Sequence, residues 1–355
     1  MISFSVLPEL EISIFLLIFL SLAAGVISGF VGVGGGFIMT PALIIMGFPA
    51  QYAVGTGMLW VMGNSVIGTL RHRHLGNVDF KLGIIMIVFM MLGVELGVQA
   101  LNMAIAAGMA ETAVLAVTIT ALLLVGSSVF WESTRTKTRI DKKLKEQGKI
   151  STTKGAVTLV SIVSRIKIPP VITFQRSGTT ISLWVLLVLG TVAGTLAGFI
   201  GVGGGFIIVP ALVYVLGVPS FVAVGTSLFQ IIFPAAFGAA RYTLDGNIII
   251  FAAFIMILGS SMGIYFGAQL TRYLSEVSMR YILASTILVA VLGSVLKVVV
   301  ILSGSESPLL HTGMVAVTFG GLGLITVLII SLFVAARRRS GGKYIPAWTR
   351  SLVRE

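Results

Sequence analysis

The 355-residue sequence contains no cysteine, so disulfides, thiolate chemistry and cysteine-ligated metals are excluded from the start. Charge is scarce as well: Asp, Glu, Lys and Arg make up 10% of the residues, against about 25% in soluble domains. Acids are the scarcer sign, 12 against 24 Lys and Arg, and there are 3 histidines. The apolar segments hold no cluster of His, Asp and Glu and no paired carboxylates, which argues against an intramembrane enzyme and leaves no metal or cofactor to expect. What is present is apolar. Hydrophobic residues account for 57% of the chain, in recurring runs of about twenty, the length that crosses bilayer hydrocarbon as a helix. The fold class this sets is an all-α polytopic membrane protein.

The formal charge of +12 is confined to two places. Residues 132–180 hold eleven Lys or Arg and three acids, residues 337–355 hold six and one, and the remainder is net −1. Cytoplasmic segments collect Lys and Arg, so both stretches belong inside, where they meet anionic membrane lipid. Nucleic acid is not expected as a partner, because the basic residues are split between a loop and a tail without interleaved aromatics. The N-terminus lacks a basic n-region and reads as a retained first helix rather than a cleaved signal.

The chain repeats itself. Residues 29–43 match 198–212 in twelve of fifteen places, including Gly32-Val33-Gly34-Gly35-Gly36 against Gly201-Val202-Gly203-Gly204-Gly205. After a one-residue insertion the register continues: Ala53-Val54-Gly55-Thr56 with Ala223-Val224-Gly225-Thr226, Arg71 with Arg241, Gly97 with Gly267, Gln99 with Gln269. Apolar periodicity predicts long helices near 10–31, 52–70, 80–104 and 111–130, and again near 181–200, 222–240, 247–272 and 276–300. Short pieces lie at 35–48 and 204–218, and an unmatched helix lies near 312–335. The expected organisation is a first membrane repeat at 1–131, a basic cytoplasmic linker at 132–180, a second repeat at 181–303, an extra transmembrane helix at 304–336 and a basic cytoplasmic tail at 337–355. Each repeat then has four long helices and one short or re-entrant helix. Placing both basic stretches inside requires the short pieces to cross, which makes the repeats inverted and puts the N-terminus outside. Within the linker, 139–147 reads as a short charged helix, and Val157–Phe174 around Pro169-Pro170 as a segment against the membrane surface.

Glycine clusters break helices and leave amide N–H groups without partners, which a bilayer tolerates only inside protein or beside a cavity. Unwound backbone followed by a helix N-terminus attracts anions, and inverted-repeat transporters place such breaks near the membrane midplane. Gly32, Gly34, Gly35, Gly36, Gly201, Gly203, Gly204 and Gly205 are therefore candidate substrate contacts, with tight helix packing as the competing reading. Thr56, Thr226 and Ser227 either cap a helix or donate to substrate oxygens. Asn64, Ser65 and Gln230 lie within apolar helices and line the same cavity or bond between helices. Glu95, an acid inside a membrane helix, is a proton-coupling candidate whose alternatives are a helix-packing contact or a buried partner such as an Arg; its repeat partner is Tyr265. Gln99, Gln269, Arg71 and Arg241 join it as coupling or gating candidates, the arginines serving as an anion funnel or as membrane-edge anchors. Lys297 is expected to snorkel to the outer interface, and His72 and His74 to be solvated.

The duplicated G-F-[VI]-G-V-G-G-G-F-I-x-x-P-A-L pattern at 29–43 and 198–212, with Val54-Gly55-Thr56 and Val224-Gly225-Thr226 following, resembles the TauE/SafE family of membrane permeases. The resemblance covers 10–130 and 181–335 and leaves the linker and tail unexplained. It implies a multi-pass cell-membrane transporter of sulfite or small organosulfonates, generally outward. The residues add a mechanism: alternating access of two repeats around a central anion site, in a chain that either stands alone or forms a homo-oligomer. The rival classes are a channel or cation-coupled carrier and a non-transporting assembly subunit.

Overall fold

A computed structural model of the chain describes residues 2–4, 7–146, 168–271, 273, 276–303 and 308–340. The linker from 147 to 167, including most of the segment expected against the membrane surface, and the tail beyond 340 lie outside the described residues. Among the described residues, nine helices are long and apolar enough to cross a bilayer. The first repeat holds α1 (Ile14–Val31), α2 (Gly36–Ile45), α3 (Ala50–His74), α4 (Phe80–Ala106) and α5 (Ala110–Glu146). The second holds α6 (Leu183–Ile200), α7 (Gly205–Pro210, continuing as a π turn over Ala211–Val215), α8 (Ser220–Leu244), α9 (Ile250–Leu270) and α10 (Glu276–Ser303). The unmatched C-terminal segment is α11 (Pro308–Val315), a π turn (Ala316–Gly320) and α12 (Gly321–Ser340).

Two details differ from the expected elements. Helix α5 runs unbroken to Glu146, so 139–147 is no separate helix; the Glu, Lys and Arg of this stretch are good helix formers and nothing in it breaks the turn. The first helix starts at Ile14, because an antiparallel hairpin precedes it: β1 (Ile2–Phe4) with β2 (Leu7–Ile12). The same design opens the second repeat, where β3 (Val171–Phe174) pairs with β4 (Thr179–Ser182) immediately before α6. Ser13 and Ser182 are the extended residues at which the chain turns from hairpin into helix.

The halves are interlaced rather than set side by side. Helix α1 packs on α9, and α4 on α6. Small residues carry both seams: Gly25 and Gly29 of α1 face Ser260 and Ile264 of α9, while Gly194 and Gly198 of α6 face Met90 and Val94 of α4. Backbones meet there without intervening side chains, the packing mode that works in lipid. Positions rise together along each pair, so each pair runs parallel. Helices α3 and α8, which are repeat equivalents, also pack together, in opposite directions: Gly68 near the end of α3 meets Leu228 near the start of α8, and Gly55 near the start of α3 meets Tyr242 near the end of α8. Phe37 and Phe206, equivalent residues of α2 and α7, stack at 6.2 Å between ring centroids. Large apolar side chains such as Phe15, Ile84, Val88, Leu92, Val188, Phe254 and Leu324 are exposed on the perimeter, as a lipid-facing surface requires.

Candidate functional site

Each long first helix of a repeat stops at a left-handed glycine. Gly32 ends α1 at φ 79° and Gly201 ends α6 at φ 79°. Two more left-handed glycines follow in each copy, Gly34 and Gly35 (both φ 77°), and Gly203 (72°) and Gly204 (80°), before α2 and α7 begin at Gly36 and Gly205. An L side chain in that conformation costs about 1–2 kcal/mol, so these six positions, three in each loop, select glycine. Both loops are wholly buried, and no backbone carbonyl among the described residues accepts from the N–H of Gly34, Gly35, Gly203 or Gly204.

The loops also serve packing, and they do so across the halves. A Cβ on Gly36 would fall 2.6 Å from the Cα of Val202, and one on Gly205 would strike Val33 in return. Gly32 lies against Val224, and Gly201 against Val54. Gly34 is the exception: an added Cβ there would meet nothing nearer than Val61 at 3.4 Å, with Ile231 and Ser65 beyond. Of the eight loop glycines, Gly34 is the one where an added methyl would meet its neighbours, Val61, Ile231 and Ser65, at ordinary contact distance rather than clash.

The hydroxyl candidates hold the halves to one another. Thr56 Oγ1 accepts the amide of Ile249 at 3.0 Å, and its equivalent Thr226 Oγ1 accepts the amide of Asp79 at 2.9 Å. Both therefore sit where one half's helix start meets the other half's turn. Ser227 Oγ donates to Gly32 O at 2.8 Å. Its equivalent is Gly57, and the missing hydroxyl is replaced by Thr40, whose Oγ1 donates to Gly201 O at 3.5 Å. Ser227 thus bonds the edge of a glycine loop, while Thr56 and Thr226 bond the turns before α9 and α4; none of the three bonds Gly34.

His72 is corrected by the structure. It is fully buried, and its Nε2–H donates to Gly29 O at 2.9 Å. The equivalent residue, Tyr242, donates its phenol to Gly198 O at 2.7 Å. A ring with one outward donor closes the last turn of the glycine-terminated helix in both halves. His74 is exposed, as expected.

Asn64 and Ser65 meet the glycine loop. Asn64 Nδ2 donates to Ser28 Oγ at 2.9 Å and to Gly34 O at 3.1 Å. Among the described residues its Oδ1 has no partner, nor have Ser65 Oγ and both amide atoms of Gln230, although all three residues are fully buried. Gln230 is the repeat equivalent of Trp60, whose indole fills the space beside Gly35 and donates to Met256 O and Ser260 Oγ. Two further unpartnered atoms, Thr69 Oγ1 and Arg71 Nε, continue along α3. Their counterparts on α8 run Pro234, Ala235, Ala239 and Arg241, so the polar track belongs mainly to the first half. Unpaired buried polar atoms cost about 1–3 kcal/mol each, so a ligand group or ordered water that paired them would be held favourably here.

The coupling and gating candidates lie apart from the loops. Arg241 Nε meets Glu95 Oε2 at 3.0 Å, both side chains being about one-third exposed (32% each). Gln99 Nε2 also donates to Glu95 Oε1, at 3.1 Å. The equivalent position repeats the geometry with different chemistry: the Arg71 guanidinium sits 4.5 Å over the Tyr265 ring. Gln269 is half-buried. Lys297 pairs with Glu111 at 3.2 Å rather than simply reaching for the interface.

The linker's described end adds a feature the sequence did not show. Ser177, in the β3–β4 turn, donates its amide and hydroxyl to Asp79 Oδ2, at 3.2 and 2.6 Å. Asp79 Oδ1 caps α4 through the Leu82 amide, and Arg176 donates to Val78 O at 2.8 Å. Phe174 is buried beneath. A cavity of about 820 Å³ opens here, lined by Asp79, Lys81, Thr173 and Arg176 among others, but its polar groups already bond one another and it lies at the hairpin, not at the glycine loops. Among the described residues no cluster of three or more His, Asp or Glu could hold a metal.

The probable membrane transporter proteins YunE and YjnA of Bacillus subtilis (strain 168) are each 24% identical to the chain. The matches cover 73% of this chain and 89% of YunE, and 77% of this chain and 96% of YjnA. A probable membrane transporter protein of Haemophilus influenzae is 39% identical over 101 residues, 25% of this chain and 38% of the relative. No solved structure matches the chain. Residues 17–294 match the family described as sulfite exporter TauE/SafE, and the chain, a multi-pass membrane transporter, belongs to that family.

Proposed function

We propose that the protein exports a small sulfur-containing anion, sulfite or an organosulfonate, by alternating access around a site centred on Gly34. The observation that carries this reading is the pair of buried, unwound glycine loops, one from each half, with the unpartnered polar atoms of Asn64 and Ser65 beside Gly34. Free amides and a hydroxyl suit the acceptor oxygens of an oxyanion, and the N-terminus of α2 adds a favourable dipole without a buried Lys or Arg. Thr56, Thr226 and Ser227 act in this reading as the joints on which the halves rock, since each bonds across the interface. The description of the matched family gives the sulfur chemistry.

The repeats are inverted in this scheme, with 132–180 and the C-terminus cytoplasmic and the N-terminus outside. The antiparallel contact of the equivalent helices α3 and α8 supports it, as does the charge of the linker. Arg71 on Tyr265 and Arg241 on Glu95 then stand toward opposite membrane faces, as two gates. The ion pair favours gating over proton coupling for Glu95.

The test is thermal stabilisation of the purified protein by sulfite, sulfoacetate, sulfate, thiosulfate and chloride at matched ionic strength, since a ligand bound only to the folded state raises its apparent stability. A shift restricted to sulfite and sulfonates, and lost in Gly34→Val, is the expected result. No shift with any sulfur oxyanion in a well-folded sample would remove the substrate assignment.

A further inference from the structure

Asn64 has a fixed orientation. The atom facing Gly34 O at 3.1 Å must be a donor, because a carbonyl oxygen only accepts, so it is the amide nitrogen. That nitrogen has two hydrogens, and the second goes to Ser28 Oγ. The amide oxygen is left at the glycine loop as a buried acceptor with no donor among the described residues. Ser65 Oγ bonds nothing, so its hydroxyl does not fill the gap. Gln230 repeats the condition: both ends of its amide are unpartnered, and either flip leaves an oxygen without a hydrogen. The loop beside Asn64 offers donors as well, the amides of Gly34 and Gly35. The site therefore presents donors and an amide oxygen together.

An oxyanion whose atoms are all acceptors matches half of this. Its oxygens meet the loop amides but confront the Asn64 carbonyl with like partial charge. We infer that the central site takes a sulfur oxyanion carrying its own hydrogen-bond donor: a protonated oxyanion, or a sulfonate bearing a hydroxyl or amine. The sulfonate oxygens accept from the loop amides and Ser65, and the ligand's O–H or N–H goes to Asn64 Oδ1. This rests on the anion-site reading above and narrows it. A site built around an unpaired acceptor rejects the analogue that lacks the donor, because the acceptor then stays buried and unpaired.

The experiment compares 2-hydroxyethanesulfonate with propane-1-sulfonate, which has the same charge and a methyl in place of the hydroxyl, by binding to the purified full chain. The hydroxysulfonate is expected to bind at least about tenfold more tightly, the factor set by one unpaired buried group. Asn64→Leu is expected to erase that preference, and the wild-type comparison stands even where this variant does not fold. Equal binding of the two, or tighter binding of propane-1-sulfonate, overturns the inference while leaving a sulfonate site in place. Failure of the hydroxysulfonate to bind also overturns it. Sulfite stabilisation in the same preparation then decides whether the anion-site reading survives alone.

Discussion

A methyl group added to the first glycine loop meets different surroundings at each position. At Gly36 it lands 2.6 Å from the backbone of Val202, which belongs to the other half and cannot yield without parting the repeats. Gly36→Ala is expected to abolish a monodisperse folded product in size-exclusion chromatography. At Gly34 the space is open to 3.4 Å, and the cost is conformational, about 1–2 kcal/mol for an L residue at φ 77°. Gly34→Ala is expected to fold, to melt somewhat lower, and to lose most of the stabilisation by ligand. The same melting curves with and without sulfite read both effects. His72 shows why part of this scale escaped the sequence. Its neighbours Arg71, Arg73 and His74 make the segment look like a polar loop, and its role is visible only when it is aligned with Tyr242, another ring with a single donor, in the other repeat. The cross-half bonds of Thr56 and Thr226 were hidden for a related reason: their partners are backbone amides 193 and 147 residues away, which no local pattern encodes.

Among elements, helices were legible and hairpins were not. Apolar runs of membrane-spanning length announce themselves, and Gly-rich breaks end them, so the nine long helices and two short ones stand close to where composition puts them. The β3–β4 hairpin lies at the end of a linker whose basic residues dominate its composition, and four-residue strands carry little signal. Its attachment rests on Asp79, which accepts from Leu82 and twice from Ser177. Asp79→Ala removes a helix cap and a buried acceptor together and is expected to cost roughly 2–3 kcal/mol. Ser177→Ala should cost about 1 kcal/mol alone and close to nothing in the Asp79→Ala background, because the two share one interaction. Thermal melts of the four proteins in detergent check the cycle; additive losses would mean that Asp79 and Ser177 act separately. The second repeat has Ile249 where Asp79 stands, with no side-chain cap, so α9 lacks the carboxylate on which this clasp is built.

For the whole molecule, the contacts are reciprocal. Gly36 touches Val202 as Gly205 touches Val33, His72 reaches Gly29 as Tyr242 reaches Gly198, and α1 lies on α9 as α4 lies on α6. Such exchange is what a two-fold axis between the halves produces, and the opposite directions of α3 and α8 put that axis across the helices rather than along them. A two-fold in the membrane plane carries every position of one repeat to the opposite face in the other. The prediction is sharpest at His74 and Leu244, equivalent residues that end α3 and α8 and are both exposed. Because the chain has no cysteine, His74→Cys and Leu244→Cys each create a single thiol without any background to remove. In intact cells a membrane-impermeant maleimide should label Leu244→Cys and spare His74→Cys, and inverted vesicles should reverse the pattern. Labelling of both from one face would make the repeats parallel and would put the basic linker and the C-terminal segment on opposite sides of the membrane, against the distribution of charge that first suggested the topology.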